Sequence, residues 1–195
     1  MEHDDGIGAL LADIPQSANA LGQSAAPVTL EYFGDLQCPF CRHFSLGELP
    51  SIIERWVRAG KLRIEYRALQ TATREPDVFI AQQVAALAAG RQAREWHFIE
   101  TFYREQGEEG SGYVTDRFLE GIASEVPGLN LSQWNRDRSD PQLAGEIAAD
   151  EQAAEDAGLN GTPSFLIGRS GGASSTFAST NAASLDAAIE GLLKT

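Results

Sequence analysis

Val28-Thr29-Leu30-Glu31-Tyr32-Phe33-Gly34-Asp35-Leu36-Gln37-Cys38-Pro39-Phe40-Cys41 is the stretch on which the fold turns. Residues 28–33 carry strand chemistry and lie between Pro27 and Gly34. Val28, Leu30 and Tyr32 fall on one side of such a strand, and Thr29, Glu31 and Phe33 on the other. Apolar residues on both sides predict a central strand. A helical pattern follows the cysteines, with Leu49, Ile52, Ile53, Trp56 and Val57 as its apolar stripe. Pro39 suits the first helical turn, where its missing N–H is harmless. Gly47 and Pro50 predict a kink, and Gly60 an end.

Cys38 and Cys41 are the two cysteines of the 195-residue chain. Thiols at i and i+3 on a first helical turn share one face, close enough for a small disulfide ring. The helix start supplies unpaired N–H groups and the positive end of the macrodipole. Both favour thiolate, so the first cysteine is expected to ionise somewhere between about 3.5 and 7.5. This predicts a redox couple. A structural disulfide is the first alternative, but a loop this small gains little from closure. A metal site is the second, and only His43 and His97 could complete its usual four ligands.

Length fits one domain, or one domain with a large insertion. Hydrophobic residues form 43% of the chain, enough for a core. No run of about 18 apolar residues exists, so no membrane span is expected. The net charge of −13 argues against nucleic acid and anionic membrane surfaces as partners. Residues 95–160 hold 15 Asp/Glu against four Arg, a balance of −11. A solvated helical face is the plain explanation; a docking surface for a basic partner is the second.

Residues 1–26 are rich in Ala, Gly, Ser and Asp and read as an arm or linker rather than core. No basic segment followed by a long apolar stretch marks a secretion signal. Leu62, Ile64 and Tyr66 alternate with Arg63, Glu65 and Arg67, a second strand with one polar face. Residues 76–158 are helical in pattern, opening at Pro76, pausing at Gly90, resuming over 95–106 and 115–126, and turning at Pro127-Gly128. A short segment over 131–138 and a long acidic helix over 141–157 complete the block. Strand chemistry returns at 164–167, then a Gly-rich turn, a weak strand over 174–179 and a last helix over 182–193. The order is βαβ, helical block, ββα. The first crossover predicts parallel strands and a right-handed connection. The expected segments are 1–26, 27–75, 76–158 and 159–195.

This order, with Cys-x-x-Cys at the first strand-to-helix turn, resembles the α/β thioredoxin fold with an inserted α-helical domain. Within it, the chain is most similar to the DsbA-like thiol–disulfide oxidoreductases. The 28–41 stretch resembles the family's strand and active-site turn, and Gly161-Thr162-Pro163-Ser164-Phe165 its cis-proline loop. The helical block resembles the inserted domain, less specifically. Together these cover residues 27–193. Residues 14–27 resemble the stretch ahead of the domain in exported bacterial members, which carry a signal or membrane anchor upstream. The resemblance therefore implies an extracytoplasmic protein whose Met1 is not the native start, with a cytoplasmic form as the alternative.

On this resemblance Cys38 is the nucleophile and Cys41 the resolving thiol, while Pro39 and Phe40 tune the couple and line the substrate site. Phe40 brings no charge or side-chain donor to the Cys38 sulfur, so a milder oxidant is expected than in relatives with histidine there. A cis Thr162-Pro163 bond is implied, with the Thr162 backbone offered to an extended substrate and its hydroxyl near Cys38. Glu31 resembles the buried acid beneath the active site of thioredoxin relatives; the alternative is a strand-end glutamate reaching water. Asp35 is expected in a turn or capping role. His43 lies about 200° round the helix from Cys41 and is expected in solvent or behind the site. His97, Trp96, Phe98, Phe102, Tyr103 and Trp134 are expected in the core of the insertion.

The implied activity is oxidation of protein cysteines, with reduction or isomerisation at the same pair as its rivals. Two functions of a different kind would also suit a related fold: non-enzymatic peptide binding and glutathione-linked transfer. No cofactor is implied beyond the cysteine pair. The implied partners are cysteine-containing proteins and a second redox protein that resets the pair.

Overall fold

A computed structural model describes residues 4–194, the side chains from residue 6. Central to it is β3 (Val28–Gly34), which pairs in parallel with β4 (Leu62–Ala68) and antiparallel with β5 (Ser164–Arg169). Beyond β5 lies β6 (Ser174–Phe177); beyond β4 lie the short strands β2 (Ala20–Leu21) and β1 (Gln16–Ser17). The six-stranded order is β1-β2-β4-β3-β5-β6.

Register puts Tyr32 beside Tyr66 and Phe165, and Leu30 beside Ile64 and Ile167. These side chains form the buried face, with the Tyr32 ring edge-on to Phe44 at 5.2 Å and to Tyr66 at 5.3 Å. The opposite face is polar along β4, where Arg63 and Arg67 pair with Glu65, as its alternation predicts. Phe33, Leu69 and Ala154 form a small apolar cluster on that side.

The helical run 39–57 joins β3 to β4. It consists of α2 (Pro39–His43), a wide turn Phe44–Glu48, α3 (Leu49–Ile52) and a second wide turn Ile53–Val57. In the first wide turn the Leu49 N–H bonds to the carbonyl of Phe44, five residues back. The disruption expected from Gly47 and Pro50 is taken up this way: proline has no N–H to continue the regular ladder, and the helix widens by a residue. The predicted stripe, Leu49, Ile52, Ile53, Trp56 and Val57, is buried.

Between β4 and β5 come α4 (Pro76–Gly90), α5 (Glu95–Glu105), α6 (Asp116–Glu125), α7 (Leu131–Asp137) and α8 (Pro141–Asp156). The chain ends on α9 (Ala182–Leu193). Trp96, Phe98, Phe102, Tyr103 and Trp134 are fully buried. The Trp134 indole donates to Ala85 O at 2.8 Å, tying α7 to α4.

One expectation is corrected. The stretch before residue 27 is not an arm over its described part. Residues 4–11 form α1 (Asp4–Leu11), and β2 pairs antiparallel with β4. Ile7, Leu11, Ile14, Ala20 and Leu21 are buried. Ile7, Leu11 and Ile14 repeat at helical spacing, a stripe hidden in an Ala/Gly-rich context. The turns around the short strands use Asp13 and Ala18 at φ of 59° and 50°, where neither residue signals a turn as glycine would. Met1, Glu2 and His3 lie outside the described residues.

Two buried carboxyls make stability depend on pH. Burial pushes Glu95 up to about 8, with Asp150 and Glu146 adding repulsion. Burial also pushes Glu100 up to about 7, against the Ser45 hydrogen bond and Arg104. Glu95 Oε2 has no hydrogen-bond partner among the described residues. Both groups bind a proton more tightly folded than unfolded. Their contribution is therefore fully present below about pH 4.3 and is lost as pH rises through the folded values. Glu95→Gln is expected to be more stable than the parent at pH 8 by up to roughly 4 kcal/mol, the gap closing toward pH 5. Urea denaturation at several pH values checks this, and parallel curves would contradict it.

Candidate active site

The cysteine pair is placed where β3 ends. Gly34 lies against the Tyr66 ring, 2.7 Å from where a Cβ would stand, so no larger residue fits without displacing that ring. The chain then turns through Asp35, Leu36 and Gln37, closed by Cys38 N–H donating to Asp35 O at 2.9 Å. Cys38 is the N-cap of α2 and Pro39 follows inside it. In that position the Cys38 sulfur accepts the otherwise orphaned N–H of Cys41 at 3.4 Å.

The two thiols differ sharply. Cys38 is lowered from its ordinary value to about 6. The largest cause is its hydrogen bond with the Cys41 thiol; the Thr162 hydroxyl and the backbone N–H groups of Cys41 and Phe40 also lower it, while burial opposes. Cys41 is fully buried, and that burial, reinforced by the negative charge favoured on Cys38, pushes its thiol well up. The outer sulfur is thus a thiolate at neutral pH while the inner one keeps its proton.

Opposite Cys38 stands the Thr162-Pro163 bond, which is cis. The Cys38 thiol, when protonated, donates to Thr162 O at 3.3 Å. Phe40 is 72% exposed. With His43, Phe44, Glu48, Thr162 and Pro163 it lines a cleft of about 380 Å³. His43 is exposed on the rim of that cleft.

Glu31 is not brought to the pair. Tyr32 faces the cysteines, its hydroxyl 3.5 Å from Cys41 O, so the alternation of β3 turns Glu31 to the opposite face. There it pairs with Arg67 at 2.6 Å and accepts from the Ser174 hydroxyl at 3.3 Å. The reading of Glu31 as an acid beneath the inner thiol is corrected. Nor does His97 join the cysteines: its ring lies 3.0 Å from the Gln16 side chain at the N-terminal strands. Among the described residues no group of three or more His, Cys, Asp or Glu is arranged to hold a metal ion.

Asp35 has a larger place than its expected turn role. It is fully buried. Its Oδ2 accepts three consecutive N–H groups, of Thr71, Ala72 and Thr73, at 3.0, 2.9 and 2.8 Å. Its Oδ1 accepts from the Gln37 N–H, the Thr73 hydroxyl and the Gln82 amide at 3.0, 2.6 and 3.1 Å. The helical block also closes the site from behind. Gln106 donates to Leu36 O at 2.7 Å and Cys38 O at 3.2 Å, and the Tyr103 hydroxyl donates to Asp35 O at 3.4 Å. The sequence reading missed Gln82, Gln106, Thr71 and Thr73. Only Gln82 left a signal, a polar residue amid the small apolar positions of α4.

Comparison with known proteins finds relatives over most of the chain. The "Probable disulfide bond formation protein D" of Bacillus anthracis is 25% identical over 149 residues, 76% of this chain and 68% of that one. The oxidised structure of BdbD from Bacillus subtilis superimposes with a TM-score of 0.79 at 17% identity, over 93% of this chain and 98% of that chain. Alpha-DsbA1 of Wolbachia pipientis does so with a TM-score of 0.75 at 17% identity, over 94% and 92%. A family model described as Thioredoxin matches residues 16–189. With only the first helix and the two chain ends left outside that match, the chain belongs to the thioredoxin family.

Proposed function

We infer that the chain is a DsbA-like thiol–disulfide oxidoreductase working as an oxidase of protein cysteines. The observation that carries this is the split between the two thiols, with Cys38 lowered to about 6 and Cys41 raised. A low value on the outer thiol stabilises the reduced pair, which makes the disulfide form the oxidant.

In the forward direction a substrate thiolate attacks the Cys38 sulfur of the disulfide. A substrate–Cys38 disulfide forms, the Cys38–Cys41 bond breaks, and Cys41 leaves with the electron pair and takes up a proton. A second substrate thiolate then attacks the substrate's own sulfur, forming the substrate disulfide and expelling Cys38 as a thiolate. Two electrons pass from substrate to protein, and the substrate's thiol protons go to Cys41 and to solvent. The low value of Cys38 favours the second step, because a weakly basic thiolate is the better leaving group.

The exposed Phe40 and the cis Thr162-Pro163 loop flank the reacting sulfur, which supports a reading in which an extended substrate segment lies across them. Each turnover leaves the pair reduced, so a second redox protein must reoxidise it. Such oxidation fits an extracytoplasmic compartment, where disulfides persist. The reductase reading uses the same site and differs in the potential of the pair; an isomerase usually needs a second active site as well.

Two measurements test this. Cys41→Ala is expected to accumulate a mixed disulfide on Cys38 when the reduced variant meets a peptide disulfide or oxidised glutathione, detected by mass: the Cys38 thiolate bonds to one sulfur, the other leaves as a thiolate, and no inner thiol remains to resolve the product. Failure of any adduct to form would contradict exchange at Cys38. Phe40→His is expected to shift the equilibrium with glutathione toward the reduced protein by about tenfold for each pH unit that Cys38 is lowered further. An unchanged equilibrium would show that Phe40 does not tune the couple.

A further inference from the structure

The cradle on Asp35 ends at a side chain with no assigned part in the reaction. By holding the N–H groups of residues 71–73, the buried carboxylate fixes the loop after β4 beside the cis-proline loop. Across the gap the Thr71 and Thr162 hydroxyls meet at 2.5 Å. The Thr162 carbonyl oxygen lies 3.3 Å from the Cys38 sulfur, and the Thr162 hydroxyl is among the groups that favour the thiolate.

A hydroxyl has one proton to donate and two lone pairs. If Thr162 gives its proton to the Cys38 sulfur, its oxygen is free to accept from Thr71. Donation by Thr71 polarises the Thr162 O–H and strengthens its bond to the negative sulfur. The opposite orientation, Thr162 donating to Thr71, would take that proton away from the sulfur.

We propose that Thr71 is a positioning residue for thiol–disulfide exchange, donating to Thr162 so that the Thr162 hydroxyl is held for the Cys38 thiolate. This rests on the reading of Cys38 as the nucleophile. Thr71 is itself exposed, so replacing it leaves the core intact. The acceptors that hold its loop are the Asp35 carboxylate oxygens, not its hydroxyl. The hydroxyl is therefore separable from the scaffold.

The test is the ionisation of Cys38 in the reduced protein, followed by thiolate absorbance against pH, in a double-mutant cycle. Thr71→Val is expected to raise the Cys38 value by about half a pH unit, roughly a threefold change in its acid constant, with the unfolding midpoint little changed. Thr71→Ser, which keeps the hydroxyl, is expected to titrate as the parent. In a Thr162→Val background, Thr71→Val is expected to cause no further shift, because its only route to the sulfur is gone. A Thr71→Val protein that titrates as the parent would overturn the proposal. So would a shift that persists in full without the Thr162 hydroxyl, or a Thr71→Ser protein that behaves like Thr71→Val. A parent Cys38 titrating as an ordinary thiol would instead contradict the functional reading itself, whatever Thr71 does.

Discussion

Two sulfurs one helical turn apart compete for a proton, and the backbone decides which keeps it. Cys38 stands at the mouth of α2, where its sulfur meets the N–H of Cys41 and the loop carrying Thr162. Cys41 stands inside, surrounded by Tyr32 and the aromatic face of the sheet. The charge is stabilised at one position and penalised at the other by the same few ångströms of chain. Exchange chemistry needs this inequality: one sulfur ready to attack or leave, the other protonated and out of reach. Glu31 lies across the sheet, against Arg67 and Ser174, and does not touch the pair.

Holding the arrangement takes contributions from distant parts of the chain. The strand end sets the cysteine turn, the loop after β4 wraps the Asp35 carboxylate, and the loop before β5 brings the cis bond. The inserted helices add Gln82, Tyr103 and Gln106, which bond to Asp35, to its carbonyl and to the Leu36 and Cys38 carbonyls. The insertion therefore braces the reactive turn from behind while leaving Phe40 and the cleft in front of it open. Buried polar networks of this kind are stable only when every member is satisfied, and the six bonds on Asp35 meet that condition for its carboxylate.

Much of this was legible in the chain alone. The alternation of residues 28–33, the Cys-x-x-Cys at a strand-to-helix turn and the Thr-Pro ahead of a returning strand are local signals with local causes. The stripe from Leu49 to Val57 located the first helical run, though not its two wide turns, which depend on how the proline is accommodated. Glu31 was misplaced because alternation tells which residues share a face, not which face meets the helix; Tyr32 took that side. The packing of residues 4–26 was hidden because Ala20 and Leu21 form a strand only when β4 is beside them. Apart from Gln37, the cradle around Asp35 joins residues 36 to 47 positions apart, a relation that spacing does not reveal.

Exchange at this site depends on the inequality of the two thiols in the reduced protein. The most direct measurement is an NMR titration with cysteine labelled at Cβ, which follows each sulfur separately. One resonance is expected to move with a midpoint near pH 6 and the other to stay protonated beyond pH 9. Two transitions together near pH 8.5, the range of ordinary thiols, would contradict it.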